Sequence, residues 1–123
     1  MRALRVFLFV SFLSSAIFAL LLLFLPGQLA DVGLGPQDIS WARFLVPIYL
    51  GLATANWYAF QNPRKNVAVI QALIVIWGLE VLAHLYHGTT VAEEWSIALP
   101  TLIVDAVVAA GLVSFYPRGE KAT

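Results

Sequence analysis

The chain contains no cysteine, which excludes a disulfide framework, a thiolate nucleophile, a zinc–thiolate centre and an iron–sulfur cluster. It is also poor in charge. Only 11% of its 123 residues are charged, against about 25% in ordinary soluble domains. The seven basic and seven acidic side chains cancel, so there is no basic field to grip phosphates, and nucleic acid is excluded as a partner. The sequence has no P-loop, no glycine-rich dinucleotide fingerprint, no His-Glu-x-x-His and no internal repeat. Its two histidines are too few for a histidine-box hydroxylase. Both fall in one segment, which argues against haem held between helices of a single chain.

What the chain has in excess is apolar side chains, 61% of the total, with a mean hydropathy of +0.86. A membrane core about 30 Å thick needs about 20 such residues in a helix. The first run of that length, Val6 to Leu25, carries no charge and is polar only at Ser11, Ser14 and Ser15. Three more follow at about 41–60, 67–86 and 95–116, interrupted by Arg43 and Asn56, by Gln71, Glu80 and His84, and by Asp105. Between them lie a Gly-, Pro- and Asp-rich connection from Pro26 to Ser40, a polar turn from Gln61 to Asn66, and a polar, acidic loop from His87 to Glu94. Thr90 followed by Glu93 matches a capping box at the start of the last helix. The first run exceeds a signal-peptide core of about 7–15 residues, and Gln28-Leu29-Ala30 is a poor cleavage site, so it reads as a retained span. Continuous apolar runs also disfavour a β-barrel. The expected fold is a single all-α domain, a four-transmembrane-helix bundle.

Basic residues resist translocation and set the orientation. Arg2, Arg5, Arg64, Lys65, Arg118 and Lys121 all fall on one side, while the opposite loops carry Asp31, Asp38, Glu93 and Glu94. Both termini are therefore expected in the cytoplasm. The aromatic belts agree, with Trp41, Tyr86 and Trp95 at the outer interface and Tyr58, Phe60 and Tyr116 at the inner one. Small-x3-small patterns at Gly51 and Ala55, and at Ala106, Ala110 and Gly111, would let helices approach closely. Pro47 and Pro100 are expected to kink their helices, and Asn56 to bond between helices.

A charge at the centre of a span costs about 2.5–3.5 kcal/mol on insertion scales, so Arg43, Glu80 and Asp105 require a reason. Glu80, His84 and His87 lie at i, i+4 and i+7, within about 60° on one helical face, with Trp77 at its edge. Counting from the belts brings Glu80 and Asp105 to comparable depth in the outer half, with Arg43 able to reach them. The simplest pairing is Arg43 with Glu80, with Asp105 near enough to compete for the guanidinium or to remain protonated because of desolvation and the neighbouring carboxylate. Two uses of such a cluster stand open. Ion pairs can fix helix register alone. Alternatively Arg43, Glu80, His84, His87 and Asp105 line an outward-facing cavity that binds an anion, a proton or a polar head group. Metal is the weaker reading: Glu80 and His87 stand about 10 Å apart along the helix, too far to share one ion with His84. His87 also suits a helix end before Gly88.

The first helix ends in Leu25-Pro26-Gly27. The second opens Ala42-Arg43 with Tyr49-x-Gly51 further on, and a polar turn Asn62-Pro63-Arg64 follows. This layout resembles small four-helix bacterial membrane proteins of the BphX-like kind, which implies an integral inner-membrane protein and no catalytic residue to carry over. No serine sits with both a base and an orienting group, so a nucleophilic enzyme is not expected. The expected function is that of a non-enzymatic accessory or structural component in the inner or plasma membrane, without a cofactor. Its partners would be the lipid bilayer and a homo-oligomer or larger membrane complex. The runner-up is a ligand-, anion- or proton-binding protein acting through the outer polar cluster.

Overall fold

A computed structural model describes residues 2–32, 34, 38–90 and 95–117, and excludes the side chains of 39, 87–90, 95–98 and 100. The capping box at Thr90 and Glu93 and the side chains of His87, Trp95 and Pro100 lie outside the described residues. Among those residues the chain is all helical: α1 (Arg2–Phe24), α2 (Pro26–Asp31), α3 (Ile39–Gln61), α4 (Val67–Thr90) and α5 (Trp95–Ser114). Two helices, Arg2–Phe24 and the Val67–Tyr86 part of α4, are long and apolar enough to cross a membrane, and Thr101–Ser114 is a shorter apolar stretch.

Each long helix turns a narrow seam inward. On α1 the buried residues are Leu4, Leu8, Ser11, Ser15, Ala19 and Leu22, spaced by threes and fours, the pattern that keeps one stripe against a neighbour. The matching seam on α3 comprises Ala42, Val46, Ala53, Asn56 and Ala59. These two helices run antiparallel. Leu4 and Leu8 cluster with Ala59, whereas Leu22 clusters with Ala42 and Val46. Helices α4 and α5 are also antiparallel, because His84 meets Asp105 at one end while the Gln71 amide donates to the Tyr116 hydroxyl at the other, 2.6 Å away. Ile70, Leu73 and Trp77 of α4 join Val108 and Leu112 of α5 in the cluster around Leu4 and Leu8. Trp77, expected at the edge of the polar stripe, instead points into this core and donates its indole N–H to Ser11 at 2.9 Å.

The connections are tied locally. Within the segment expected to be a loop, α2 forms with Pro26 in its first turn, where a fixed φ and a missing N–H carry no penalty. It buries Leu29 and Ala30. Asp38 caps α3 by accepting from the Ser40 N–H at 2.8 Å. At the far end Asn66 donates to the Tyr58 and Asn62 carbonyls at 3.1 and 2.9 Å, adding a second donor to oxygens that already accept from the Asn62 and Asn66 backbone N–H groups.

Several packing expectations change. Asn56 does not bond between helices: it is fully buried and donates to the Leu52 carbonyl of its own helix at 2.8 Å. Gly51 is exposed with open space where a side chain would project, so its small-residue pattern makes no helix contact there. Gly111 does: a Cβ at this position would collide with the Phe7 ring, which stacks on Phe115 at 5.7 Å. Pro47, where a kink is expected, lies inside α3 without ending it.

Candidate functional site

The polar cluster is built from two adjacent helices. Glu80 and His84 sit one turn apart on α4, the spacing that aligns side chains on one face, and their Oε2 and Nε2 atoms are 3.6 Å apart. Asp105 projects from α5 into the same place, with Oδ2 at 3.0 Å from His84 Nε2. One donor atom from each of the three side chains lies within 4.8 Å of the others. The antiparallel register that pairs Ile70 and Leu73 with Leu112 carries Asp105 to the level of His84.

Burial grades across the cluster. The Asp105 side chain is 6% exposed, His84 26% and Glu80 39%, so the site is closed on the α5 side and open beside α4. Tyr49 of α3 is half-buried, lies within electrostatic reach of both carboxylates, and is packed edge-on against Phe18 at 4.7 Å. Its position on the inward seam of α3, between Val46 and Ala53, is the signal by which the sequence could have nominated it.

Of the five residues nominated from sequence, three are brought together: Glu80, His84 and Asp105. The side chain of His87 lies outside the described residues. Arg43 is exposed on α3, and among the described residues no ion pair joins it to either carboxylate. The reason is angular. Ala42 and Val46 occupy the buried seam, and Arg43, one residue along, is turned about 100° away from Ala42. The imidazole of His84, and not the Arg43 guanidinium, faces both carboxylates.

Electrostatically the cluster is short of positive charge. Among the described residues two carboxylates face one imidazole, which when protonated can offset at most one negative charge and when neutral none. Groups of like charge this close in a poorly solvated setting demand a compensating cation or proton. An anion would add to the imbalance.

Compared with known proteins, the chain matches no family model, and no curated protein and no solved structure matches it.

Proposed function

We propose that this chain is an integral membrane protein of the inner or plasma membrane that binds a cation at Glu80, His84 and Asp105. Helices α1, α3, α4 and α5 are its four spans, and both termini are cytoplasmic. It acts as a non-enzymatic membrane component, and the small interior of a 13.5 kDa chain suits a homo-oligomer or a subunit of a larger complex. The BphX-like layout fits this architecture.

Exposure supports the membrane assignment. Only 28% of the apolar window of α1 and 17% of that of α4 is buried within the chain, whereas the core helix of a soluble protein hides most of such a stretch. Phe24, Phe44, Leu82 and Val75 are among many large apolar side chains left facing outward, a surface suited to lipid. Trp41 and Tyr86 on one level and Tyr58 on the other are exposed, as interfacial anchors are.

The observation that carries the cation reading is the imbalance at the cluster: a buried Asp105 and a half-buried Glu80 share a single imidazole. It favours the ligand-binding reading over a purely structural one, and a cation over an anion. The test is the melting temperature of the detergent-purified protein with added Na⁺, Mg²⁺, Ca²⁺ or Zn²⁺. A ligand at 100 times its Kd stabilises the folded state by about 2.7 kcal/mol. At least one of these ions is expected to raise the melting temperature of the wild type and to leave D105N unmoved. If none does, the cluster is balanced by protonation and serves helix register alone.

A further inference from the structure

We infer that the cation is a divalent transition metal of the Zn²⁺, Co²⁺ and Mn²⁺ class, held by Glu80, His84 and Asp105 with one coordination position left open toward the exposed side of α4. This rests on the cation reading above and narrows it. A hard-ion site for Ca²⁺ is built from oxygen alone, with about six to eight of them, whereas this one places an imidazole nitrogen at its centre, in contact with both carboxylates. Imidazole with carboxylate selects first-row divalent ions, and the absence of cysteine removes the thiolates that favour Cu(I).

Geometry agrees. Metal bonds of about 2.0 Å in a tetrahedron set donor atoms about 3.3 Å apart. The imidazole nitrogen already stands 3.0 Å from Asp105 and 3.6 Å from Glu80, and no donor pair exceeds 4.8 Å. Closing the widest separation needs a movement of about 1.5 Å at most, within the reach of the Glu80 side chain, the longest and most exposed of the three. The distance objection to a metal takes all three donors from one helix, Glu80, His84 and His87. The structure draws the third from α5, so the objection does not apply to this set. Three protein donors and one vacant position is the arrangement that keeps a metal accessible to water or a further ligand.

The experiment uses full-length protein, purified in detergent through a tag without histidine, stripped with chelator and titrated with Co²⁺. The expected result is one equivalent bound, visible d–d absorption of a low-coordinate nitrogen–oxygen site, and displacement of that signal by one equivalent of Zn²⁺. H84A and D105N are each expected to weaken Co²⁺ by more than about 100-fold, beyond the roughly 10–100-fold typical of an outer-shell partner. E80Q, at the more exposed and adaptable donor, should weaken it by at least about 10-fold. Wild type that gives no such absorption overturns the inference even if every variant fails to fold, as does binding that H84A and D105N both retain. Stabilisation by Na⁺, Mg²⁺ or Ca²⁺ without Co²⁺ or Zn²⁺ binding overturns the metal class and leaves the cation site standing. Insensitivity to all of these ions overturns both.

Discussion

At the scale of single residues, the hydrogen bond from Trp77 to Ser11 and the steric closure at Gly111 make separable claims. Ser11→Ala strands a buried indole N–H. Such losses reach about 1–3 kcal/mol in general, and bonds between membrane helices average about 0.6 with a maximum near 1.7. A loss of about 1 kcal/mol is expected in reversible unfolding from mixed micelles. The double variant S11A/W77F removes both partners and should lose less than the sum of the two single changes, which a double-mutant cycle would read directly. Gly111→Ala gains about 1 kcal/mol of helix propensity but drives a methyl group into Phe7, and overpacking of this kind costs about 1–3 kcal/mol. Because the first atoms met include the ring carbon nearest the backbone, the ring as a whole must shift, and G111A is expected to be net destabilising. Gly51→Ala, which meets open space, should be stabilising by about 0.5 kcal/mol. The same measurement on both variants separates packing from propensity. Arg43→Ala, at an exposed position outside the cluster, should stay within about 0.5 kcal/mol of wild type and keep the cation response. A collapse of R43A would return the guanidinium to the site.

At the scale of elements, the turn between α3 and α4 depends on Asn66, whose amide serves two carbonyls at once. Asn66→Ala is expected to lower stability by about 1 kcal/mol, the net worth of such bonds, and hydrogen exchange should show the last turn of α3 opening first. This turn was legible in the sequence because Asn, Pro, Arg and Lys in a row interrupt two apolar runs. The helices were legible for the same reason, with boundaries displaced by at most four residues. Helix α2 was not, since Gly and Pro read as loop signals and only the burial of Leu29, clustered with Leu22 and Val46, and of Ala30 reveals why the chain winds there. The half of the site on α4 could be read from its i, i+4 spacing. Counting from the belts also places Asp105 at about the right depth but does not give its pairing with His84, because that depends on how far α4 and α5 slide past one another, and no spacing within one helix contains that quantity. Arg43 failed for a related reason: counting residues from an interface gives depth and says nothing about the angle around the helix axis.

At the scale of the whole molecule, the neighbours α1 with α3, and α4 with α5, alternate in direction, and α1 lies parallel to α4, since Leu4 and Leu8 meet Ile70 and Leu73 while Ser11 meets Trp77. The alternation of the four long helices puts the α3–α4 turn at the end of the bundle that holds the N-terminus and α2 at the other. The charges follow that division, with Arg64 and Lys65 in the turn and Asp31 beside α2. The absence of cysteine makes the arrangement directly testable, because any introduced thiol is the only one. In intact cells a membrane-impermeant maleimide should label D31C. It should label Q61C, also at an exposed position, only after the membrane is opened. Labelling of both without permeabilisation, or the reverse order, would remove the two-sided arrangement. It would also remove the proposed extracytoplasmic placement of the cluster, which follows from Glu80 and His84 lying toward the end of α4 remote from the turn that holds Arg64 and Lys65. Sidedness therefore decides which compartment supplies the ion: with the turn inside, the open edge of the site beside α4 draws its cation from the outer phase.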